Sequence, residues 1–238
     1  MTYIILSAGK GTKLNPLTLN TPKSLYKLDN KTTILQRLVR VIRKFDADSE
    51  IVVVIGYMYE HIQRELEYDN VKFVHNPFYS VTSSMGSLWF AKDYLQRENV
   101  AIINGDIVAS EKILKEIVCR HTDYPYILLD SSHKDTNKYN VQVQGELVCV
   151  MSKNLTDYMG NYASIAKLDA VSSRFLLEQL NQMVNEEMYG LFFEDALVQM
   201  IFQGNFELRF KDIKGYEWTE VDCVDDLLKA RQIHTQGK

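Results

Sequence analysis

The stretch Thr2-Tyr-Ile-Ile-Leu-Ser-Ala-Gly-Lys-Gly-Thr-Lys-Leu14, followed by Thr21-Pro-Lys-Ser24, decides the fold. Its apolar run stops at Gly9 and Gly11, one residue apart, which is how a buried strand delivers a backbone loop to a ligand. Bare amide groups in such a loop attract anionic oxygens, above all those of phosphate. Thr12 adds a hydroxyl, and Lys10, Lys13 and Lys23 surround the same place with positive charge.

The spacing rules out two common phosphate loops. A dinucleotide fingerprint has a third glycine where this chain has Leu14, and an acidic residue after the next strand, where Ile51-Val-Val-Val-Ile55 runs into Gly56-Tyr57. A P-loop ends in Gly-Lys-Ser or Gly-Lys-Thr, and neither occurs here.

Outward from the loop, strand and helix patterns alternate through the first half, which predicts a mostly parallel α/β sheet with helices on both faces. Ile34, Leu35, Leu38, Val41, Ile42 and Phe45 keep a helical period, and residues 51–55 form a buried strand. A short helix near 59–68 precedes a strand at 71–74, and a helix near 85–95 leads into a strand that ends at Asn104-Gly-Asp106. The second half alternates around Gly145 like an antiparallel hairpin. A strand at 162–168 and a helix at 170–184 follow, then a helix at 194–202, strands near 207–210 and 216–220, and a last helix at 224–233.

With 238 residues, 46% of them hydrophobic, the chain has enough apolar surface for a single core, and no Pro/Gly-rich linker or repeat divides it. A formal charge of −4 provides no broad basic field, so nucleic acid is not an expected partner. Cys119, Cys149 and Cys223 are odd in number and far apart, as reduced thiols of a cytoplasmic protein are. No basic leader or membrane-length apolar run is present, so a soluble, cytosolic protein with no membrane partner is expected. His61, His75, His121, His133 and His234 are scattered without metal-ligand spacing.

The loop Ala8-Gly9-Lys10-Gly11-Thr12-Lys13 together with Pro22-Lys23 resembles the signature of the nucleotidyltransferase family that joins a nucleoside triphosphate to a phosphorylated sugar or alcohol and releases pyrophosphate. That resemblance implies a Rossmann-like nucleotide-binding half over about residues 1–130, continuous with an antiparallel acceptor-binding half over about 131–238. The family usually has arginine where this chain has Lys13, and lysine keeps the charge but lacks the planar two-pronged grip of guanidinium. Among its members the chain resembles most the compact cytidylyltransferases acting on phosphocholine, aminoethylphosphonate or phosphoglutamine.

Residue roles follow from the resemblance. Lys23, Lys13 and Asp106 are the catalytic candidates, with Lys23 on the α-phosphate and Lys13 and the amides of residues 9–12 on the β and γ groups. Leu6, Ala8, Gly9, Gly11 and Thr12 line the nucleotide, and Ser84, Gly86 and Ser87 in the segment 79–88 read a pyrimidine edge, although Ser83 or Ser84 also suits a helix N-cap. Asp106 closes an apolar strand at its carboxyl end, where ligands of open parallel sheets collect. Mg2+ takes one or two carboxylates plus phosphate oxygens, so Asp106 needs one further acid. The family places it at Asp222, with Glu220 and Asp225 as alternatives.

For the acceptor, Lys153 falls where the family holds acceptor phosphate, while Tyr139, Phe192 and Glu194 match its cage of aromatic and acidic residues. Aromatic faces suit a quaternary ammonium, yet Phe192 also suits a core, and Glu194 equally suits the amine of an amino acid. Lys138, Lys153 and Lys167 are the cations available for a carboxylate. The expected partners are CTP and a small phosphorylated acceptor, with glutamine phosphate favoured and capsule phosphoramidate decoration as its setting; a homodimer stays open. Sugar-1-phosphate transfer from UTP, dTTP or GTP, and a nucleotide-binding regulator without transfer, are the alternatives.

Overall fold

Strands of the first half are apolar on both sides because they are covered on both sides. In the computed structural model, which describes residues 1–132, 134–135, 138–204 and 206–236, strand β1 (Thr2–Ser7) sends Tyr3 and Ile5 to one core and Ile4 to the other. Strand β2 (Glu50–Ile55) divides likewise, with Ile51, Val53 and Ile55 opposite Val54. Strand β3 (Lys72–His75) and strand β4 (Asn99–Asn104) flank this pair, and all four are parallel.

Helix α1 (Ile34–Phe45) begins where the Thr33 hydroxyl accepts from the Gln36 amide at 3.3 Å. Its Leu35, Leu38, Val39 and Ile42 face the first core, which helix α2 (Tyr59–Glu65) shares through Ile62. The second core lies under helix α3 (Ser84–Phe90), helix α5 (Ala170–Asn185) and helix α6 (Phe193–Phe202). Between them in sequence come strand β5 (Ile107–Ala109) and a short helix α4 (Glu111–Ile113) that widens into a π-turn over Leu114–Val118.

The second half extends the same sheet. Strands β6 (Tyr126–Asp130), β7 (Asn140–Gln144), β8 (Leu147–Ser152), β9 (Gly160–Asp169) and β10 (Arg209–Asp212) complete the order β3-β2-β1-β4-β9-β6-β10-β8-β7. Strands β9 and β8 run against the others, so the sheet is mixed, parallel over β3-β2-β1-β4 and mostly antiparallel beyond β4, with β6 and β10 pairing in parallel. Strand β11 (Trp218–Glu220) leaves this sheet and pairs with β5 instead, and helix α7 (Val224–Gln236) follows.

Three expectations change. The single helix expected near 85–95 ends at Phe90 and resumes as a 3-10 turn over Lys92–Gln96. The strand expected near 207–210 starts later, because its register is set by Arg209 opposite Tyr126. Strands β5 and β6 and helix α4 are additional elements. Among the described residues the cysteines are free, and no helix is long and apolar enough to cross a membrane.

Candidate active site

The glycine loop is a tight object. Gly11 has φ 64°, and a Cβ there would lie 3.0 Å from the Lys23 Cβ, so both backbone conformation and space demand glycine. The Thr18 hydroxyl donates to the Gly11 carbonyl at 3.0 Å, and the Tyr57 amide donates to the Ala8 carbonyl at 2.9 Å. These contacts fix the loop over the carboxyl ends of β1 and β4, where the Gly105 amide donates to the Leu6 carbonyl at 2.9 Å. Here opens a cavity of about 440 Å3.

Asp106 follows β4 and Asp222 follows β11. The pairing of β11 with β5 brings them together, and the Val221 amide donates to the Asp106 carbonyl at 3.0 Å. Lys23 bridges both acids: its ammonium pairs with Asp106 and lies 2.8 Å from Asp222, while that of Lys13 lies 3.1 Å from Asp222. Burial would push Asp222 up, but Lys23 and Lys13 hold it down at about 2. Burial works against the Lys23 ammonium too, yet Asp106 and Asp222 keep it above the ordinary lysine range. Asp106 is raised, chiefly by burial and then by Glu220 and Asp222 against the pull of Lys23.

Behind this cluster, Glu220 accepts from Ser164 at 2.9 Å, from Asn104 at 3.3 Å and from Lys138 at 3.0 Å. Burial would raise it, but Lys138 and Lys23 hold it below its ordinary value. Asp106 Oδ1 is buried with no hydrogen-bond partner, which leaves an acid oxygen for a cation. Among the described residues no group of three or more His, Cys, Asp or Glu side chains is arranged for a metal. A cation here would take the two aspartates and oxygens of the ligand, a donor set that fits Mg2+.

At the far end of the cavity, the Tyr139 and Phe192 rings meet edge to face at 5.9 Å. Lys153 Nζ lies 4.1 Å from the Phe192 ring centre and 5.1 Å from that of Tyr139. Asp195 fixes this corner, accepting from the Tyr139 hydroxyl at 3.2 Å and the Phe192 amide at 2.9 Å. Glu194 is 3% exposed, and burial pushes it up to about 8.

The cavity gathers Leu6, Ala8, Gly9, Gly11, Thr12, Lys13, Lys23, Ser84, Ser87, Asp106, Tyr139, Lys153, Phe192, Glu194 and Asp222. Gly86 does not line it: a Cβ there would press on Thr82, so this glycine serves helix packing. The Ser84 hydroxyl accepts from the Phe193 amide at 2.9 Å and thereby caps α6 rather than its own helix. Lys138 lines the cavity but is paired to Glu220, whereas Lys167 is wholly buried elsewhere, donating to the Val118 and Arg120 carbonyls at 3.1 and 3.0 Å. Asp225 is not among the lining residues. Nor is any histidine among the described residues; His133 lies outside them.

Ser7, Ser24, Tyr162 and Ser164 also line the cavity without having been picked out in sequence, as do Tyr79, from the segment 79–88 expected to read the base, and Asn104, beside the Asp106 motif. Glu220, an alternative second ligand in the sequence, also lines the cavity beside Asp222. Nothing comparable marks Tyr162 and Ser164.

Residues 3–183 match the model of the MobA-like NTP transferase domain. The chain is similar to the choline-phosphate cytidylyltransferase of Streptococcus pneumoniae, 24% identical over 234 residues that cover 98% of each protein. It is also similar to the CTP:phosphoglutamine cytidylyltransferase of Campylobacter jejuni, 24% identical over 250 residues that cover 95% of this chain and 98% of that one. The solved structure of CTP:phosphocholine cytidylyltransferase from Streptococcus pneumoniae has the same fold, with a TM-score of 0.80 at 21% identity over 98% of both chains. The glycine loop lies over a lysine held between two aspartates, and the chain that builds this site belongs to the MobA-like NTP transferase family as a nucleotidyltransferase.

Proposed function

We propose that the protein is a cytidylyltransferase that joins CTP to a small phosphorylated acceptor and releases pyrophosphate. The observation that carries this reading is Lys23 clasped between Asp106 and Asp222 at the foot of the glycine loop. An acceptor phosphate oxygen is already anionic near neutral pH, so attack on the α-phosphorus needs positioning and charge neutralisation rather than a general base. Lys23 neutralises the α-phosphate as it becomes crowded, and Lys13 with the loop amides holds the departing pyrophosphate. Asp106 and Asp222 would hold a divalent cation, in our reading Mg2+, whose charge offsets that of the phosphates. Hydroxyls of Ser83, Ser84, Ser87 and Thr82 on one wall suit the polar edge of a pyrimidine.

For the acceptor, glutamine phosphate is the favoured candidate, with phosphocholine and aminoethylphosphonate behind it. Lys153 stands on the Phe192 face that a quaternary ammonium would use, and it offers a cation to a carboxylate while Glu194 offers an acid to an amine. Such a CMP-linked product would serve decoration of a surface polysaccharide, made in the cytoplasm.

The test is a pyrophosphate-release screen of CTP, UTP, dTTP and GTP against phosphoglutamine, phosphocholine, aminoethylphosphonate and sugar 1-phosphates. Preference for CTP with an amine-bearing acceptor is expected. Turnover confined to a sugar 1-phosphate with another triphosphate would overturn the reading, and so would CTP binding without any transfer.

A further inference from the structure

Among the described residues, Tyr162 and Glu194 line the cavity from different elements, and each carries a buried polar atom with no hydrogen-bond partner. Tyr162 on β9 is 2% exposed and its hydroxyl has no hydrogen-bond partner; Glu194 on α6 is 3% exposed and its Oε2 has none. Buried polar groups in folded proteins are almost always paired, so two orphans on residues that line one cavity point to a ligand that completes them. The backbone fixes Tyr162 independently, since its amide donates to the Tyr139 carbonyl at 2.8 Å. The neighbouring Tyr139 hydroxyl gives its one proton to Asp195 at 3.2 Å, so it has none to donate to either orphan.

We infer that Tyr162 and Glu194 form a reader of N–H groups, so that the enzyme accepts a phosphorylated compound with a primary ammonium or amide head and rejects a quaternary ammonium. The inference rests on the cytidylyltransferase reading above and on the acceptor head entering at the Tyr139–Phe192 end. A carboxylate oxygen and a phenol oxygen can both accept from one N–H-bearing head. A trimethylated nitrogen has no hydrogen to give, and seating it there would leave both groups unpaired against its methyl groups. The aromatic faces that would compensate are taken by Lys153, 4.1 and 5.1 Å from their ring centres. Burial favours the protonated form of Glu194, and an arriving ammonium would lower its pKa so that the proton leaves to water and a carboxylate is left to accept the N–H. Tyr162 is thus a specificity-determining residue, acting on the acceptor and not on the nucleotide.

The experiment measures kcat/KM with saturating CTP for phosphoethanolamine, its N-methyl and N,N-dimethyl derivatives and phosphocholine, with phosphoglutamine and its N,N,N-trimethyl analogue run in parallel. The trimethylated member of whichever pair is turned over should be worse by roughly tenfold or more. Tyr162→Phe keeps the ring and removes the hydroxyl. It should raise KM for the N–H-bearing acceptor with little change in kcat, and narrow the gap to the trimethylated one. A trimethylated acceptor used as well as its parent would overturn the inference while leaving the cytidylyltransferase reading intact. A Tyr162→Phe variant that lowers every acceptor by the same factor would also overturn it, since that is what a structural role produces. Turnover of sugar 1-phosphates alone would overturn the reading and the inference together.

Discussion

Lys23 is 15% exposed and touches both metal-candidate acids, so its removal alters the site in two ways. It withdraws the charge aimed at the α-phosphate, and it leaves Asp106 and Asp222 facing each other without a bridge. The first effect belongs to the transition state, where the phosphate is most crowded and most negative. Lys23→Ala should therefore lower kcat by roughly a hundred- to a thousandfold, the usual loss of about 2.7–4 kcal/mol for one electrostatic contact, while weakening CTP binding far less. Single-turnover kinetics alongside equilibrium CTP binding separate the two, and turnover within a few fold of wild type would remove Lys23 from the catalytic set. Glu194 behaves in the opposite sense to a paired acid. Its folded-state pKa is raised to about 8 from 4.5, first by burial, opposed by a backbone hydrogen bond and more weakly by Lys153, with Glu220 and Asp195 adding to the rise. Between those values the folded protein keeps a proton that the unfolded chain has lost, so this residue's contribution is most favourable at low pH and declines as pH rises towards 8. Glu194→Gln abolishes that decline. Urea denaturation at pH 5, 6.5 and 8 should show the variant gaining on wild type as pH rises, by an amount on the order of a few kcal/mol. Parallel stability profiles would show that Glu194 titrates normally.

At the scale of elements, what the sequence disclosed were features with short-range causes. The apolar run of β1 ending at Gly9 and Gly11, the helical period of α1 and the hairpin around Gly145 each sit within a dozen or so residues, and each forms where its pattern lies. Asp106 and Asp222 were legible one at a time, from a strand end and a motif. Their shared ammonium was not, because it depends on β11 leaving the main sheet to pair with β5. Strand β6 escaped notice for a related reason: five residues, Tyr126–Asp130, all buried, carry no alternation to separate strand from helix. Tyr162 and Ser164 were hidden by irregular backbone. The pairing of β9 with β6 shifts register between Ile127 and Leu129, and Ser164 has φ 56°, so simple alternation along β9 does not tell which residues reach the cavity. Ser84 illustrates the same limit, since its likeness to a local N-cap was visible but its actual bond to the Phe193 amide crosses to another helix.

Across the whole molecule, the strand order makes the two halves of the sequence interdependent. Strand β9 lies between β4 and β6, so the first half cannot complete its sheet without a strand from the second. The second core likewise joins Met85 and Leu88 of α3 to Leu176 and Leu180 of α5 and Phe193 and Leu197 of α6. The candidate site follows the same seam, with Asp106 from one half and Asp222 from the other on one lysine. We propose that the chain folds as one cooperative unit, with the division near residue 130 being one of ligand roles and not of stability. Its two tryptophans report the halves separately, Trp89 from α3 and Trp218 from β11. In two-state unfolding every probe sees the same transition. Trp89→Phe and Trp218→Phe variants, each keeping a single tryptophan, should therefore give urea curves whose fluorescence midpoint coincides with the loss of far-UV circular dichroism in the same variant. The fragment 1–130 should show no cooperative transition, because it exposes the β4 and β6 edges that β9 pairs and the apolar face of α3 that α5 and α6 cover. A fluorescence midpoint offset from the circular dichroism midpoint in either variant, or a fragment that melts sharply by itself, would show two folding units meeting at the site.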